Sequence, residues 1–433
     1  MTAPDRHRAF ALEIVEKLRA AGFEALWAGG CVRDQLLGLV PKDYDVATSA
    51  TPDQIRDLFG PRRTVPVGIA FGVVAVLDRR DWGRASSGPV EVATFRSDAA
   101  YSDGRHPDAV TFTTAEHDAQ RRDFTINGLF YDPIADKVVD YVGGQEDLER
   151  RIVRAIGDPR LRLGEDKLRM LRAVRFAATF SFEIEAETFR AIEEMAADVT
   201  TVSPERIGME IRRMLVDPNR ARAMELLRDT GLLSRVLPEV AGLSSENFDE
   251  TMRILSALRE PTLSVALAAL LSKEQEAGSK APNNSLLASR SSLLADEVGR
   301  RLRYTNKEMG RAVWLLQHLP TIKKADRIPW PQLQRVLIHE GIWELLPLYE
   351  ALAGPHDPAL AFCRERKAWP PERLNPPPLL SGSDLIRHGL EPGPQFAALL
   401  EKVRDAQLEG HITSQDEALA LVDRLRAARD TLP

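Results

Sequence analysis

Two carboxylates one residue apart, Asp43 and Asp45, are the first side chains along the chain whose type and spacing suggest chemistry. On an extended segment, residues i and i+2 face the same side. Like charges held side by side repel each other unless a cation lies between them. A carboxylate pair with room for phosphate oxygens suits a hard divalent ion such as Mg2+. Upstream lies Gly29-Gly30-Cys31-Val32-Arg33-Asp34. Two glycines between a strand and a helix let the backbone approach a ligand closely, and the helix start behind them offers free N–H groups to a phosphate. The pattern is neither the dinucleotide fingerprint nor a P-loop. Arg33, three residues beyond Gly30, is placed to reach the same phosphates. By itself Asp43-Tyr44-Asp45 also fits a turn with Lys42 as counter-ion. The glycine pair and Arg33 move the balance toward a phosphate site.

A second constellation is Arg121-Arg122-Asp123-Phe124-Thr125-Ile126-Asn127-Gly128. Two arginines offer forked donors to a polyphosphate, and Asp123 could accept from ribose hydroxyls. The competing reading makes Asp123 a helix cap with its arginines in solvent. A third runs from Glu165 to Phe176. Read as one helix, it steps Asp166, Arg169 and Arg172 by three along one surface, with Leu168, Leu171 and Val174 as core. An Asp beside an Arg presents acceptor and donor together and can read the edge of a base. It can also be a plain ion pair within the helix.

The chain of 433 residues has 44% hydrophobic and 28% charged side chains, the composition of a globular protein of two to four domains. No apolar run approaches the ~20 residues of a membrane helix. The first residues lack a signal-peptide core, and a cytoplasmic protein is expected. Two distant cysteines, Cys31 and Cys363, exclude a disulfide framework or a cysteine zinc site. The net charge of −6, from 58 basic and 64 acidic residues, speaks against indiscriminate binding to polyanions. Between Arg150 and Arg175, however, nine basic residues face three acids. That excess marks a candidate phosphate-facing surface.

The elements that must position these groups follow from periodicity. Residues 8–20 read as an amphipathic helix, Ala25 to Ala28 as a buried strand, and Cys31 to Leu37 as a helix. Tyr44 to Ala47 reads as a strand, and Thr51-Pro52-Asp53 opens a helix. Ile69 to Leu77 and Val90 to Phe95 are rich in β-formers. Beyond Arg160 the strand signals fade, with helices expected over 165–179, 186–197, 205–215, 219–229 and within 383–427. Ser272 to Ser292 reads as a mobile loop, and the prolines from Trp369 to Pro378 as a stiff linker. The expected architecture is an α/β head followed by a long helical body, α+β overall.

Together the three constellations, in this order, resemble the class II tRNA nucleotidyltransferases, the CCA-adding enzymes and bacterial poly(A) polymerases. The likeness runs through AGGCVRDQLLG, KDYDVATSATP, EVATFRSDAAYSDGRHPD, RRDFTINGLFYDP, DYVGGQEDL and RAIGDPRLRLGEDKLRMLRAVRFA, covering roughly residues 20–230. The resemblance implies a nucleotidyltransferase head of the DNA polymerase beta type over 1–150 and a helical neck over 151–240. It implies a body over 241–370 and a tRNA-binding tail over 371–433. It implies Mg2+ on Asp43 and Asp45, triphosphate contacts from Gly30 and Arg33, and phosphate and ribose contacts from Arg122 and Asp123. Asp166 and Arg169 would read the base, with Arg172 and Arg175 near the nucleotide. Glu91 would be a candidate third carboxylate, and Ser97 to Asp108 a loop that helps switch from CTP to ATP. The implied partners are the tRNA 3′ end and acceptor stem, with CTP and ATP as substrates and no membrane or obligate protein partner.

The apolar run Thr64 to Gly72 and the presence of the Ser102–Pro107 segment favour full CCA addition, with A-only addition or poly(A) synthesis as the alternative. A glycosyltransferase with a DxD motif explains Asp43 and Asp45 but leaves the second and third constellations without a role. A non-catalytic RNA-binding relative that kept the fold predicts tRNA binding with no activity in Mg2+, yet every expected catalytic residue is present.

Overall fold

Phe10, Ile14, Val15 and Leu18 carry the apolar stripe of the first helix, and all four are fully buried. In the computed structural model, which describes residues 3–68, 71–78, 88–98, 110–275 and 284–430, this helix is α1 (Ala3–Ala20) and begins earlier than its periodicity suggested. It packs on strands β1 (Ala25–Ala28) and β2 (Val46–Thr48). They are followed by β3 (Thr64–Gly68), β4 (Val73–Val76), β5 (Val90–Thr94), β6 (Arg96–Asp98), β7 (Val110–Phe112), β8 (Phe130–Asp132), β9 (Lys137–Val139), β10 (Ile152–Val153) and β11 (Glu183–Ile184).

Seven strands form one mixed sheet in the order β3-β4-β5-β2-β1-β8-β9. Only β2 and β5 run parallel; the other neighbours are antiparallel. β1, with the sequence ALWA, is buried at every position, as a central strand covered on both faces must be. One side of the sheet packs Leu26, Ala28, Ala47, Phe95, Ala115, Ala119 and Phe130 together. β6 and β7 form a separate two-stranded ribbon, and β10 pairs with β11. The strand expected over Tyr44 to Ala47 is displaced: it covers Val46–Thr48, and Asp43 to Asp45 form its extended lead-in. Ile69 and Ala70 lie outside the described residues, as do residues 99–108 of the expected switching loop.

Helices α2 (Gly30–Leu36), α3 (Pro52–Phe59), α4 (Ala115–Gln120), α5 (Gly144–Glu149), α6 (Pro159–Glu165), α7 (Leu168–Phe180), α8 (Ala186–Met195), α9 (Pro204–Val216), α10 (Arg220–Asp229), α11 (Leu233–Val236) and α12 (Pro238–Ala241) complete the first of two compact units, Met1–Gly242. The start expected at Thr51 is a full capping box, in which the Thr51 hydroxyl accepts from the Gln54 amide and the Gln54 side chain accepts from the Thr51 amide. The helix expected over 165–179 is broken at Asp166-Lys167, where α6 ends and α7 begins.

The second unit, Leu243–Pro433, is helical throughout its described elements. It holds α13 (Ser245–Ala257), α14 (Leu263–Leu271), α15 (Asn284–Arg301), α16 (Asn306–Lys323), α17 (Trp330–Ile338), α18 (Ile342–Ala353), α19 (Pro358–Lys367), α20 (Pro371–Leu374), α21 (Gly382–Arg387), α22 (Gln395–Leu408) and α23 (Gln415–Asp430). α14, LSVALAALL, is buried all round and serves as the core helix. Of the loop expected over 272–292, a turn of 3-10 helix covers Ser272–Gln275, α15 starts at Asn284, and residues 276–283 lie outside the described residues. The proline linker contains one helical turn, α20, which tolerates Pro371 at its first position. Among the described residues no helix is long and apolar enough to cross a membrane.

Phe95 is fully buried and meets the Phe130 ring edge-on at 5.9 Å. Phe95→Ala should cost the first unit about 3–5 kcal/mol, read as a lower urea midpoint for that unit with an unchanged slope.

Candidate active site

Asp43, Tyr44 and Asp45 alternate outward, inward, outward: Asp43 and Asp45 are exposed and Tyr44 is buried. Tyr44 anchors the segment by packing edge-on against Trp27 at 4.8 Å. The Ala28 amide donates to the Asp45 carbonyl at 3.0 Å, which holds the lead-in against β1. The two carboxylates therefore share one face although they lie just outside the strand. Glu91 joins them. β5 runs parallel to β2 with Val92 opposite Val46, which sets Glu91 beside Asp45, and Glu91 is exposed. Desolvation of the Asp45 carboxyl by the protein around it, then the charges of Glu91 and Asp43, push its pKa up to about 6 against the pull of Arg122. Carboxylates crowded in this way are what a divalent cation relieves, so the donors fit the expected ion. Among the described residues, no three His, Cys, Asp or Glu side chains form a ligand cluster.

Beside the carboxylates, the chain leaves β1 through Gly29, which caps α2 with φ 71°. A Cβ there would lie 2.9 Å from Arg122 Nη1. The glycine is needed both for its backbone angle and for the close approach of that guanidinium. Gly30 opens α2 behind it. Burial pushes the Cys31 thiol up to about 11, so no thiolate nucleophile forms here near neutral pH.

Arg33 was expected at the phosphates. In the structure it is buried, donates to Asp34 Oδ1 at 2.7 and 2.9 Å and to Asn127 Oδ1 at 2.5 Å, and lies over Phe180 and Phe176 at 4.5 and 5.2 Å. Asp123 was expected to accept from a ribose. Its carboxylate is instead filled: Oδ1 accepts from the Phe124 amide at 2.8 Å and Asn127 Nδ2 at 3.0 Å, and Oδ2 from Arg172 at 2.7 and 2.9 Å. Burial alone would raise its pKa, but Arg172 and the Asn127 hydrogen bond hold it at about 2. A continuous chain, Asp34–Arg33–Asn127–Asp123–Arg172, thus crosses from α2 to α7.

The third constellation also differs from its reading as one helix. Asp166 lies between α6 and α7, where its Oδ1 accepts from the Leu168 amide at 3.1 Å and its Oδ2 accepts from Arg206 Nη2 at 2.7 Å. It is only partly covered. Arg169 turns elsewhere, donating to Glu165 at 2.5 Å, the Arg162 carbonyl at 2.7 Å and the Arg121 carbonyl at 3.4 Å. Arg175 is bound to Glu210 of α9 at 2.5 Å and lies 4.1 Å over Phe176. Of the nine cations between Arg150 and Arg175, seven pair with a carboxylate. The expected phosphate-facing surface is therefore largely an ion-paired seam.

Three residues that matter here had no reading in the sequence, Asp118, Arg206 and Glu210, and Asn127 stood in the second constellation without a role. Their partners lie up to 94 residues away, as Arg33 and Asn127 do. Asn127 falls inside the RRDFTIN stretch and Asp118 just before it, and the mixing of charge with the apolar Phe124 and Ile126 was the only hint available.

Comparison with known proteins gives the family of this arrangement. A model described as "Poly A polymerase head domain" matches residues 25–154. A second, "Probable RNA and SrmB- binding site of polymerase A", matches residues 181–243. The CCA-adding enzyme of Leuconostoc mesenteroides is 32% identical over 414 residues, 94% of this chain and 93% of its own length. That of Geobacillus stearothermophilus is 39% identical over 254 residues, 58% and 59% of the two chains. Among solved structures, the Bacillus stearothermophilus CCA-adding enzyme in complex with CTP superposes with a TM-score of 0.73 at 29% identity, covering all of both chains. The Thermotoga maritima CCA-adding enzyme complexed with tRNA shares the fold, with a TM-score of 0.64 at 20% identity over 96% and 94%.

The Asp123–Arg172 pair yields a pH test. The folded-state pKa of Asp123 lies below its unfolded value, so the pair stabilises the fold above about pH 4. That stability is lost as pH falls toward the folded value of about 2. Asp123→Asn leaves the half-buried Arg172 without its counter-ion and should cost about 1–3 kcal/mol near neutral pH. It should also flatten the acid slope of the stability curve between pH 4 and 2, measured by urea unfolding at stepped pH.

Proposed function

We infer the reaction from one premise: the chain belongs to the class II tRNA nucleotidyltransferases, the family of the CCA-adding enzymes and bacterial poly(A) polymerases. It is a nucleotidyltransferase that adds CMP and AMP, from CTP and ATP, to the 3′ end of tRNA without a template. The observation that carries this reading is the meeting, within one compact unit, of outward carboxylates, a glycine turn pressed against Arg122, and a partly open Asp166 on the same framework. The family generally uses divalent metal ions. We read the ion as Mg2+ held by Asp43 and Asp45, with Glu91 beside them. Bound there, it would offset the triphosphate charge and favour the ionised form of the attacking hydroxyl.

The remaining work falls to the chain's own residues. The tRNA 3′-hydroxyl oxygen attacks the α-phosphorus, the new P–O bond forms, the α–β bridge breaks, and pyrophosphate leaves. This is chemistry of positioning and charge neutralisation. Gly29-Gly30 and Arg122 supply donors to the triphosphate. Asp166, held by Arg206, supplies the acceptor that meets the exocyclic amine common to cytosine and adenine. A base is read in this way along its Watson–Crick edge. Guanine and uracil offer a carbonyl at that place. Arg169 would complete the base contact by leaving Glu165, whereas Arg33, Asp123, Arg172 and Arg175 form the frame. We read residues 1–150 as head, 151–240 as neck, 241–370 as body and 371–433 as tail, with the tRNA acceptor stem on the last two, and place the enzyme in the cytoplasm.

Labelled CTP and ATP, offered separately and together to tRNAs ending before C, CC and CCA, decide the reading. Sequential addition that stops at CCA is expected. A-only addition or an open-ended poly(A) tail overturns it. In the same assay Asp43→Ala or Asp45→Ala should abolish both transfers while leaving tRNA binding intact, and near-normal turnover in either removes the ion from these residues. Asp166→Ala should lose rate and admit UTP or GTP measurably, since an unmet buried partner costs about 1–3 kcal/mol. Unchanged selectivity in a folded, active variant takes Asp166 out of base reading.

A further inference from the structure

Asp118 is a carboxylate that the chemistry above does not use, yet it is among the most buried charges in the first unit, at 1% exposure. It lies in α4, just before the two arginines of the second constellation. Its Oδ1 accepts from Arg121 Nε and Nη2 at 2.9 and 2.7 Å and from the Arg96 amide at 3.3 Å. Its Oδ2 accepts from Arg122 Nε and Nη2 at 3.2 and 2.9 Å. Burial pulls its pKa up, but Arg122 and Arg121 outweigh this and hold the carboxyl below the usual range.

The consequence falls on Arg122. A guanidinium gripped through Nε and Nη2 has its plane fixed. That plane lies over the Phe130 ring at 4.9 Å and directs Nη1 toward the Asn127 carbonyl at 3.3 Å. Nη1 is also the atom that would lie 2.9 Å from a side chain on Gly29. The far end of α4 is fixed as well: Arg162 donates to the Gln120 carbonyl at 2.6 Å and to the Arg121 carbonyl at 3.0 Å, and Arg169 to the latter at 3.4 Å. Asp118 thus holds one guanidinium against the phosphate turn from a helix whose end is secured by the Asp166 segment. Through Arg121, which also donates to the Arg96 carbonyl at 3.1 Å, the same carboxylate ties down the start of β6.

We propose that Asp118 is a positioning residue for nucleotide binding, acting through Arg122 by fixing the guanidinium plane at the glycine turn. The proposal rests on the reading of Arg122 as a triphosphate ligand. Asp118 touches neither substrate nor ion. Its removal leaves Arg122 charged but free to rotate away from the phosphates, so the defect appears in nucleotide binding more than in the bond-making step.

The test is steady-state CMP and AMP incorporation by the full-length enzyme. Asp118→Asn should raise KM for both CTP and ATP about tenfold or more, since small misplacements of a positioning group carry penalties of that order. Its kcat should change far less, and KM for tRNA should stay as in the parent. A loss confined to kcat, as from a smaller folded fraction, or an unchanged nucleotide KM in a folded variant, overturns the proposal. A double-mutant cycle isolates the route. In an Arg122→Lys background, which cannot be gripped through two nitrogens, Asp118→Asn should add little to KM. Full additivity overturns action through Arg122. Asp118→Glu keeps the charge and moves it by a methylene, so it provides the same KM readout if Asp118→Asn does not fold. A parent that adds neither CMP nor AMP defeats the functional reading itself, whereas an active parent with an additive cycle defeats only the role of Asp118.

Discussion

The ion pair between the buried Asp123 and the half-buried Arg172 is the constraint on which the rest of the first unit depends. Every acceptor position of Asp123 is filled, two by Arg172 and two by the turn that follows it. In a low-dielectric interior such a carboxylate is stable only while all its partners stay in place. The pair therefore fixes α7 against the Phe124–Asn127 turn, and Asn127 passes the constraint to Arg33 and α2. Phe176 occupies the space that remains. Arg33, Arg172 and Arg175 lie 4.1–5.2 Å from its ring and Phe124 meets its edge at 5.9 Å. Helix, turn and glycine loop are thus held by one hydrogen-bonded chain with an aromatic ring at its centre.

Charge in the unit is arranged in two opposite ways. Where the fold needs rigidity, cation and anion are paired and covered: Arg121 and Arg122 with Asp118, Arg172 with Asp123, Arg175 with Glu210. Elsewhere like charges are left together: Asp43, Asp45 and Glu91 are exposed, and desolvation, then the neighbouring charge of Glu91, raises the pKa of Asp45. The net charge of −6 is the sum of these local arrangements and describes neither. It also explains how an acidic chain can handle a triphosphate: the relevant field is that of a few fixed groups in a recess.

Much of the fold was legible because it rests on local rules. The stripe of α1, the buried run Ala25–Ala28, the Thr51 capping box and the helices Ala186–Met195, Pro204–Val216 and Arg220–Asp229 follow from periodicity and end signals that a short window contains. The same holds for the shared face of Asp43 and Asp45, which needs only an extended backbone. The misreadings have local causes as well. Asp166 sits in a stretch of good helix formers, but its side chain bonds the Leu168 amide and starts a new helix, a competition that Asp residues often win.

Residue types, their order, most of the elements that carry them and the family likeness of their spacing are legible along the chain. Which charges are paired and which stay open follows from packing alone. Arg33, Asp123 and Arg175 have the composition of ligand contacts, yet each is held by partners from 1 to 94 residues away. Asp118, with no motif reading of its own, became the holder of two arginines. The reason is physical: an ionised side chain is defined by its nearest opposite charge and its access to water. Both are properties of packed space, which separation along the chain does not encode.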